Sequence, residues 1–283
     1  MTKKIHGYAS GNVETVISVE DVDKQAGALR NKNLTVKDLD KLTNYSPHLS
    51  IDNLKAGYGE MEILHDIDLR VGDGQSLCLI GPNGAGKSTI LHSIFGFTRI
   101  FSGDIRIDGE KITNLTPSEK LKDSGIAYIL QDNSVFPDMT VEENLMMGGY
   151  LLDKTSDAKV AVEGVLSEYS RLGQRRNNKA SSLSGGERRL LEIARSLIMN
   201  PKVLLVDEPS IGLEPRFINL VFEILDDLQT NQGKTIIMVE QNAKKGLEFC
   251  DIGYVIVSGE LVLADEGSKL LESPEVGRLF LGG

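Results

Sequence analysis

Nine consecutive residues, Gly81, Pro82, Asn83, Gly84, Ala85, Gly86, Lys87, Ser88 and Thr89, limit what this chain can fold into more than any other stretch. They satisfy the pattern G-x-x-x-x-G-K-[ST]. The apolar run Leu77-Cys78-Leu79-Ile80 precedes them and the helix-forming segment Ser88 to Phe95 follows. A buried strand must therefore hand a Gly-rich loop to a helix N-terminus, an arrangement that belongs to open α/β sheets. In it, backbone N–H groups and the helix end surround the phosphates of a nucleotide. Gly81, Gly84 and Gly86 allow backbone conformations and a close approach that a side chain would penalise. Lys87 is placed to reach the β- and γ-phosphates, and the Ser88 hydroxyl to ligate Mg²⁺. A chance Gly-rich turn needs neither the strand nor the helix, so the stretch reads as a nucleoside triphosphate site.

The chain has 283 residues, 40% of them hydrophobic, enough for one large domain or two small ones. Its formal net charge of −10 argues against non-specific nucleic-acid binding, which requires Lys and Arg to neutralise phosphates. The two cysteines, Cys78 and Cys250, lie in apolar patterns and read as buried free thiols of a reducing compartment. No apolar core follows Lys3 and Lys4, and no stretch approaches the ~20 apolar residues of a spanning helix. These features together lead to the expectation of a soluble, cytoplasmic protein.

Residues 1–48 mix charges of both signs with little apolar periodicity and read as a mobile or loosely docked extension. Within it, short helices are expected around Val19 to Leu29 and Thr35 to Leu42. From Leu49 the pattern becomes globular, and residues 49–283 are expected to form the main domain. Strands are expected at Leu49 to Leu54, Ile63 to Val71, Gln75 to Ile80, Ile105 to Ile107 and Ile126 to Leu130, with Asp73-Gly74 closing a hairpin. A helical subdomain is expected over about 137–186. The strong helix Glu187 to Met199, closed by Asn200-Pro201, follows it. Strands at Val203 to Val206, Thr235 to Val239, Tyr254 to Val257 and Leu261 to Leu263 alternate with helices at Pro215 to Gln229 and Ala243 to Phe249. Strands alternating with helices imply a mostly parallel sheet covered on both faces.

Val203-Leu-Leu-Val-Asp207-Glu208-Pro209 is a second nucleotide element. Four apolar residues make a buried strand that presents two carboxylates at its carboxyl end, the edge where open α/β sheets bind ligands. Asp207 would hold Mg²⁺ as the acidic partner of Ser88. Glu208 would polarise a water attacking the γ-phosphate. Leu183-Ser184-Gly185-Gly186-Glu187 opens the strong helix as a second Gly-rich N-terminus, hence a second potential phosphate cradle. Taken alone, Ser184 is equally well explained as an ordinary N-cap.

The order of these three elements resembles the ATP-binding-cassette ATPases, from Leu49 to the C-terminus. The resemblance implies an α/β fold with a P-loop NTPase core, a mostly parallel sheet, an antiparallel β subdomain and a helical signature subdomain. It identifies Ser184, Gly185, Gly186 and Glu187 with the family's L-S-G-G-Q signature, Glu187 standing in place of Gln. Tyr58 resembles the aromatic that stacks on adenine, and Gln131 the glutamine that contacts Mg²⁺ and the attacking water. Phe136, Met139, Val141 and Met146 fall where such proteins dock a permease, and Ser210 to Glu214 where a loop crosses the dimer interface. Gln241 occupies the position where most cassettes carry a switch His. It can hydrogen-bond a γ-phosphate but carries no titratable proton, so slower hydrolysis is expected at this chain's own loop.

The segments Val239-Glu-Gln-Asn-Ala, Phe136-Pro-Asp-Met-Thr-Val-Glu-Glu-Asn-Leu and Leu281-Gly-Gly resemble one ATPase subunit of branched-chain amino-acid importers. That resemblance implies ATP and Mg²⁺, catalytic roles for Lys87, Glu208, Gln131 and Gln241, and a peripheral location on the cytoplasmic face of the membrane. The implied partners are permease subunits, a solute-binding protein and a second ATPase subunit, in a mixed pair or a pair of identical chains. A related urea importer and a lipopolysaccharide or lipid exporter are the alternatives within transport. Outside transport stand a soluble repair-type cassette and a catalytically weak regulatory cassette. The stretch between Lys87 and Ser184 is too short for the coiled coil of the former, and intact Lys87 and Glu208 argue against the latter. A GTPase would need N-K-x-D, which Asn178-Lys179-Ala180-Ser181 does not complete.

Overall fold

The computed structural model describes residues 34–131 and 134–281; the helix expected around Val19 to Leu29 lies outside them. The helix expected at Thr35 to Leu42 forms as α1 (Val36–Leu42), with Thr35 and Asp38 exchanging backbone and side-chain hydrogen bonds as a capping box. Next come β1 (Pro47–Tyr58), β2 (Met61–Gly72), β3 (Ser76–Ile80), α2 (Lys87–Phe95), β4 (Arg99–Ile107), β5 (Glu110–Lys111), α3 (Pro117–Lys122) and β6 (Ile126–Ile129). A helical stretch follows as α4 (Val141–Gly148), α5 (Thr155–Glu168), α6 (Ser170–Gln174) and α7 (Gly185–Leu197). The chain then runs through β7 (Val203–Asp207), α8 (Pro215–Thr230), β8 (Thr235–Val239), α9 (Ala243–Phe249), β9 (Ile252–Val257), β10 (Glu260–Glu266) and α10 (Gly267–Glu272).

Two sheets organise these elements. One is antiparallel in the order β2-β1-β4-β5, and the other runs β10-β9-β3-β8-β7-β6. In the second sheet β9, β3, β8, β7 and β6 are parallel and only the edge strand β10 is antiparallel. The period-2 alternation of a strand sends its residues to two cores. Leu77 and Leu79 of β3 and Ile237 and Val239 of β8 face the antiparallel sheet together with Ile90, Leu91 and Ile94 of α2. Cys78, Ile80, Ile236 and Met238 face the opposite side, where Val221, Leu225 and Leu228 of α8 cover them. Both cysteines are buried free thiols. A third core joins Val141 and Leu145 of α4, Val162 and Leu166 of α5, and Leu190, Leu191 and Ala194 of α7. α7 leans on β6, so this helical layer sits at one edge of the parallel sheet.

The turn at Asp73-Gly74 departs from expectation. It closes no hairpin: β2 stays in the antiparallel sheet while β3 enters the parallel sheet between β8 and β9. All five residues of β3 are buried, and a strand covered on both faces pairs with parallel neighbours and not with the strand before it. The turn is fastened to β8 instead, where the Gly74 N–H donates to Thr235 Oγ1 at 2.9 Å.

Two buried cations tie elements together. The Arg70 guanidinium on β2 donates to Ile51 O (2.6 Å), Leu69 O (2.9 Å) and Asp40 Oδ1 (3.1 Å) and pairs with Asp52. It thereby clamps α1, whose Leu39 is buried in the core, onto the antiparallel sheet. Lys120 of α3 is fully enclosed beneath the C-terminus of α2, with Nζ 3.5 Å from Ser93 O.

Candidate functional site

The loop from β3 to α2 is held in shape by conformations that exclude side chains. Gly81 has φ +148° and a Cβ there would stand 2.0 Å from Ile256 O; Gly86 has φ +98° and a Cβ would press on Leu64 Cδ2 at 2.9 Å. The buried Lys87 lies along this loop, donating from Nζ to Gly81 O and Pro82 O at 2.9 Å each. Burial pushes its pKa below the usual lysine range, while the nearby carboxylates of Glu208 and Asp207 oppose that shift. The backbone N–H groups of the loop and of the α2 N-terminus, with the Lys87 ammonium, form a cradle for phosphate oxygens.

β7 brings the acidic pair to the same place. Ser88 Oγ donates to Asp207 Oδ1 at 3.0 Å, and Tyr128 Oη from β6 donates to Asp207 Oδ2 at 2.9 Å. Asp207 is 5% exposed, so both its oxygens need such donors. The chain then turns sharply: Glu208 has φ +42° and its N–H donates to Val239 O at 2.9 Å. A non-Gly residue in this region is uncommon and costs strain. Gln131, just past β6, donates from Nε2 to Glu208 Oε2 at 2.9 Å. Among the described residues no group of three or more His, Cys, Asp or Glu forms a metal cage. Ser88, Asp207 and the Gln131 amide instead supply few, hard oxygens, a set that would fit a Mg²⁺ ion bound together with phosphates.

A cavity of about 350 Å³ opens over the loop, lined by Tyr58, Ile63, Asn83, Gly84, Gly86, Lys87, Ser88, Thr89 and Glu208. Tyr58, at the end of β1, is 45% exposed on its rim, with Oη 2.5 Å from His92 Nδ1. A larger cavity of about 810 Å³ lies between α1 and the α9–α10 region and contains none of these groups. Chemistry, and not size, therefore picks out the smaller one.

The structure brings together Tyr58, the loop from Gly81 to Thr89, Gln131, Asp207 and Glu208. Ser184, Gly185, Gly186 and Glu187 do not line this cavity. Ser184 is the N-cap of α7: its Oγ accepts from Glu187 N at 3.3 Å, while Glu187 Oε2 accepts from both Ser184 N and Ser184 Oγ at 2.9 Å. The backbone N–H of Ser184 holds the Glu187 carboxyl below the usual glutamate range. A Cβ on Gly186 would collide with Phe217 at 2.0 Å, whereas Gly185 faces open space. Gln241 is exposed, two residues beyond the Val239 carbonyl that receives Glu208, and it too is outside the cavity lining. Of the expected docking residues, Phe136 is exposed and Val141 is fully buried in the third core.

Sequence reasoning missed three neighbours. Tyr128 fixes Asp207, His92 backs Tyr58, and the buried Glu240 accepts from Ser210 Oγ at 2.7 Å and Asn242 N at 3.0 Å. One signal was available for Tyr128: a tyrosine inside a buried strand requires a partner for its hydroxyl.

The model of the ABC transporter family matches residues 64–211. The chain is 43% identical over 235 residues to the high-affinity branched-chain amino acid transport ATP-binding protein BraG of Pseudomonas aeruginosa, covering 83% of this chain and all of that protein. It is 38% identical to the probable branched-chain amino acid transport ATP-binding protein LivF of Archaeoglobus fulgidus, covering 81% of this chain and 96% of that one. Among solved structures, the ADP conformation of an ATP-binding cassette of an ABC transporter superposes with TM-score 0.72 at 29% identity, over 84% of this chain and 99% of that chain.

Proposed function

The chain belongs to the ABC transporter family, and from that premise we propose that it is the ATPase subunit that drives uptake of branched-chain amino acids through a membrane permease. The two similar transport proteins, each matched over nearly its whole length, support the solute class. Membrane permease partners follow from transport systems of this kind. No helix of the described residues is long and apolar enough to cross a membrane, and the family's ATPase subunits are peripheral to it. We place this one on the cytoplasmic face, with a solute-binding protein elsewhere in the system.

The single observation that carries the mechanism is the meeting of Ser88, Asp207, Glu208 and Gln131 at the phosphate loop. Lys87 exchanges the Gly81 and Pro82 carbonyls for β- and γ-phosphate oxygens, and the loop N–H groups take the rest of the charge. Tyr58 offers its exposed ring to adenine. Mg²⁺, held by Ser88 and Asp207 with Gln131 nearby, would neutralise charge developing on the phosphates. Glu208, oriented by the Gln131 amide, accepts the proton of an attacking water. The exposed N-terminus of α7, with Ser184, Gly185, Gly186 and Glu187, closes the site of a facing ATPase chain; the pair is mixed in this reading, with identical chains as the alternative. Gln241 contacts the γ-phosphate without titrating.

The test is reconstitution of the chain with its co-purified membrane partners in liposomes. Leucine uptake that requires ATP, and that Glu208→Gln abolishes while trapping nucleotide-bound pairs, is the expected result. Uptake of urea or movement of lipid in place of leucine would overturn the solute assignment. Turnover unaffected by Glu208→Gln would overturn the mechanism.

A further inference from the structure

We propose that Tyr128 is a positioning residue of the metal site, setting the orientation of the Asp207 carboxylate from the neighbouring strand. This rests on the reading of the phosphate loop as a Mg²⁺–nucleotide site.

The carboxylate of Asp207 ends β7, where the strand gives way to the turn at Glu208. The rotation of a carboxylate about its terminal torsion is broad and soft, so backbone position alone does not aim its oxygens. Two O–H donors do. Ser88 Oγ takes Oδ1 at 3.0 Å and Tyr128 Oη takes Oδ2 at 2.9 Å. The Ser88 hydroxyl can turn a lone pair toward a cation while its O–H still points at Oδ1, because one hydroxyl both donates and accepts. Tyr128 has no such second duty, and its bond to Oδ2 holds the plane of the carboxylate.

Tyr128 is itself braced. Its ring lies against Phe95 at 5.5 Å, His92 at 5.7 Å and Phe97 at 5.9 Å between centroids, three residues on or just beyond α2. The helix that starts at the phosphate loop thus holds the ring whose hydroxyl aims the acid. His92 also meets Tyr58 Oη through Nδ1, so the cavity rim at Tyr58 and the Asp207 carboxylate share one aromatic cluster. A ring that served only as packing would need no hydroxyl, and Phe would fill the position. The hydroxyl is the discriminating atom.

The experiment compares the full-length chain with Tyr128→Phe, which keeps the ring. A fluorescent mant-ADP is titrated in the presence of Mg²⁺ and again in excess EDTA, and the ratio of the two affinities gives the benefit of the metal. Loss of one hydrogen bond to a buried charge should cut that benefit by about tenfold, with the EDTA affinity unchanged and the melting temperature lowered by no more than a few degrees. The half-saturating Mg²⁺ for ATP turnover should rise in parallel, with less change in kcat at saturating metal. A second variant, Tyr128→Met, removes ring and hydroxyl and should lose the same metal benefit. An unchanged ratio in Tyr128→Phe, or loss of the fold in both variants, makes Tyr128 a packing residue and overturns the proposal. Failure of the unsubstituted chain to bind mant-ADP in either condition is a different result, and overturns the nucleotide reading together with this one.

Discussion

At the scale of single residues, burial and backbone conformation set costs that titration and denaturation can read. Lys120 is shut off from solvent, and among the described residues its ammonium meets the Ser93 carbonyl, left over because Gly96 N and Phe97 N both donate to His92 O. Burial pushes its pKa down to about 8 from 10.5. Below the lower value both folded and unfolded chains carry the charge and the cost of enclosing it is fully present. Between the two values the unfolded chain holds a proton that the folded chain has released, so stability rises with pH across that window. Lys120→Met should therefore stabilise the protein by about 2 kcal/mol at neutral pH and flatten that rise. Urea denaturation at pH 7 and at pH 10 checks both parts. Gly81→Ala works in the opposite direction: a Cβ 2.0 Å from the Ile256 carbonyl forces the loop off β9. It should cost about 3 kcal/mol or more, visible in the same denaturation curves, with nucleotide binding lost.

Among the elements, four helices start alike, with Thr35 and Asp38, Thr116 and Glu119, Thr140 and Glu143, and Ser184 and Glu187 each forming a capping box. A capping box at Ser184 is therefore no sign of a phosphate site by itself, since three plain helices share it. The two roles separate by experiment. Ser184→Ala and Thr140→Ala should each cost about 1 kcal/mol of stability, but only Ser184→Ala should also remove ATP turnover in the assembled complex. Equal turnover in the two variants would return Ser184 to a purely structural part. The same elements show what was readable beforehand. β3 and β7 carried apolar runs, α7 a strong helical period and the loop before α2 its Gly-rich motif, and local pattern sufficed for them. The turn at Asp73-Gly74 was misread because a two-residue spacing between strands is the same whether the next strand pairs back or crosses to another sheet. Tyr128 and Glu240 act between strands whose lateral order no local pattern encodes, and His92 reaches from α2 to Tyr58 at the end of β1. The placement of β6 beside β7 and of β7 beside β8 brings Tyr128 to Asp207 and Ser210 to Glu240, and the packing of α2 on β1 brings His92 to Tyr58.

For the whole molecule, the cavity over the phosphate loop lacks the α7 N-terminus, so turnover belongs to a pair of chains in the proposed function. In that reading Gln241 sets the rate in place of a titratable His. Gln241→His should raise ATP turnover at this chain's own site and add a dependence on pH near the histidine pKa, and an unchanged rate and profile would remove Gln241 from the mechanism. The clamp of Arg70 and Leu39 on α1 has a consequence for geography. α1 touches β2 and β10, and β10 is the margin of the parallel sheet opposite β6, where the helical layer leans. Leu34, just ahead of α1, lines a cavity together with Leu263 and Ala264 of that margin strand. A fluorophore or surface linker placed on the exposed Lys37 of α1 therefore leaves the phosphate loop and the helical face clear while the protein works.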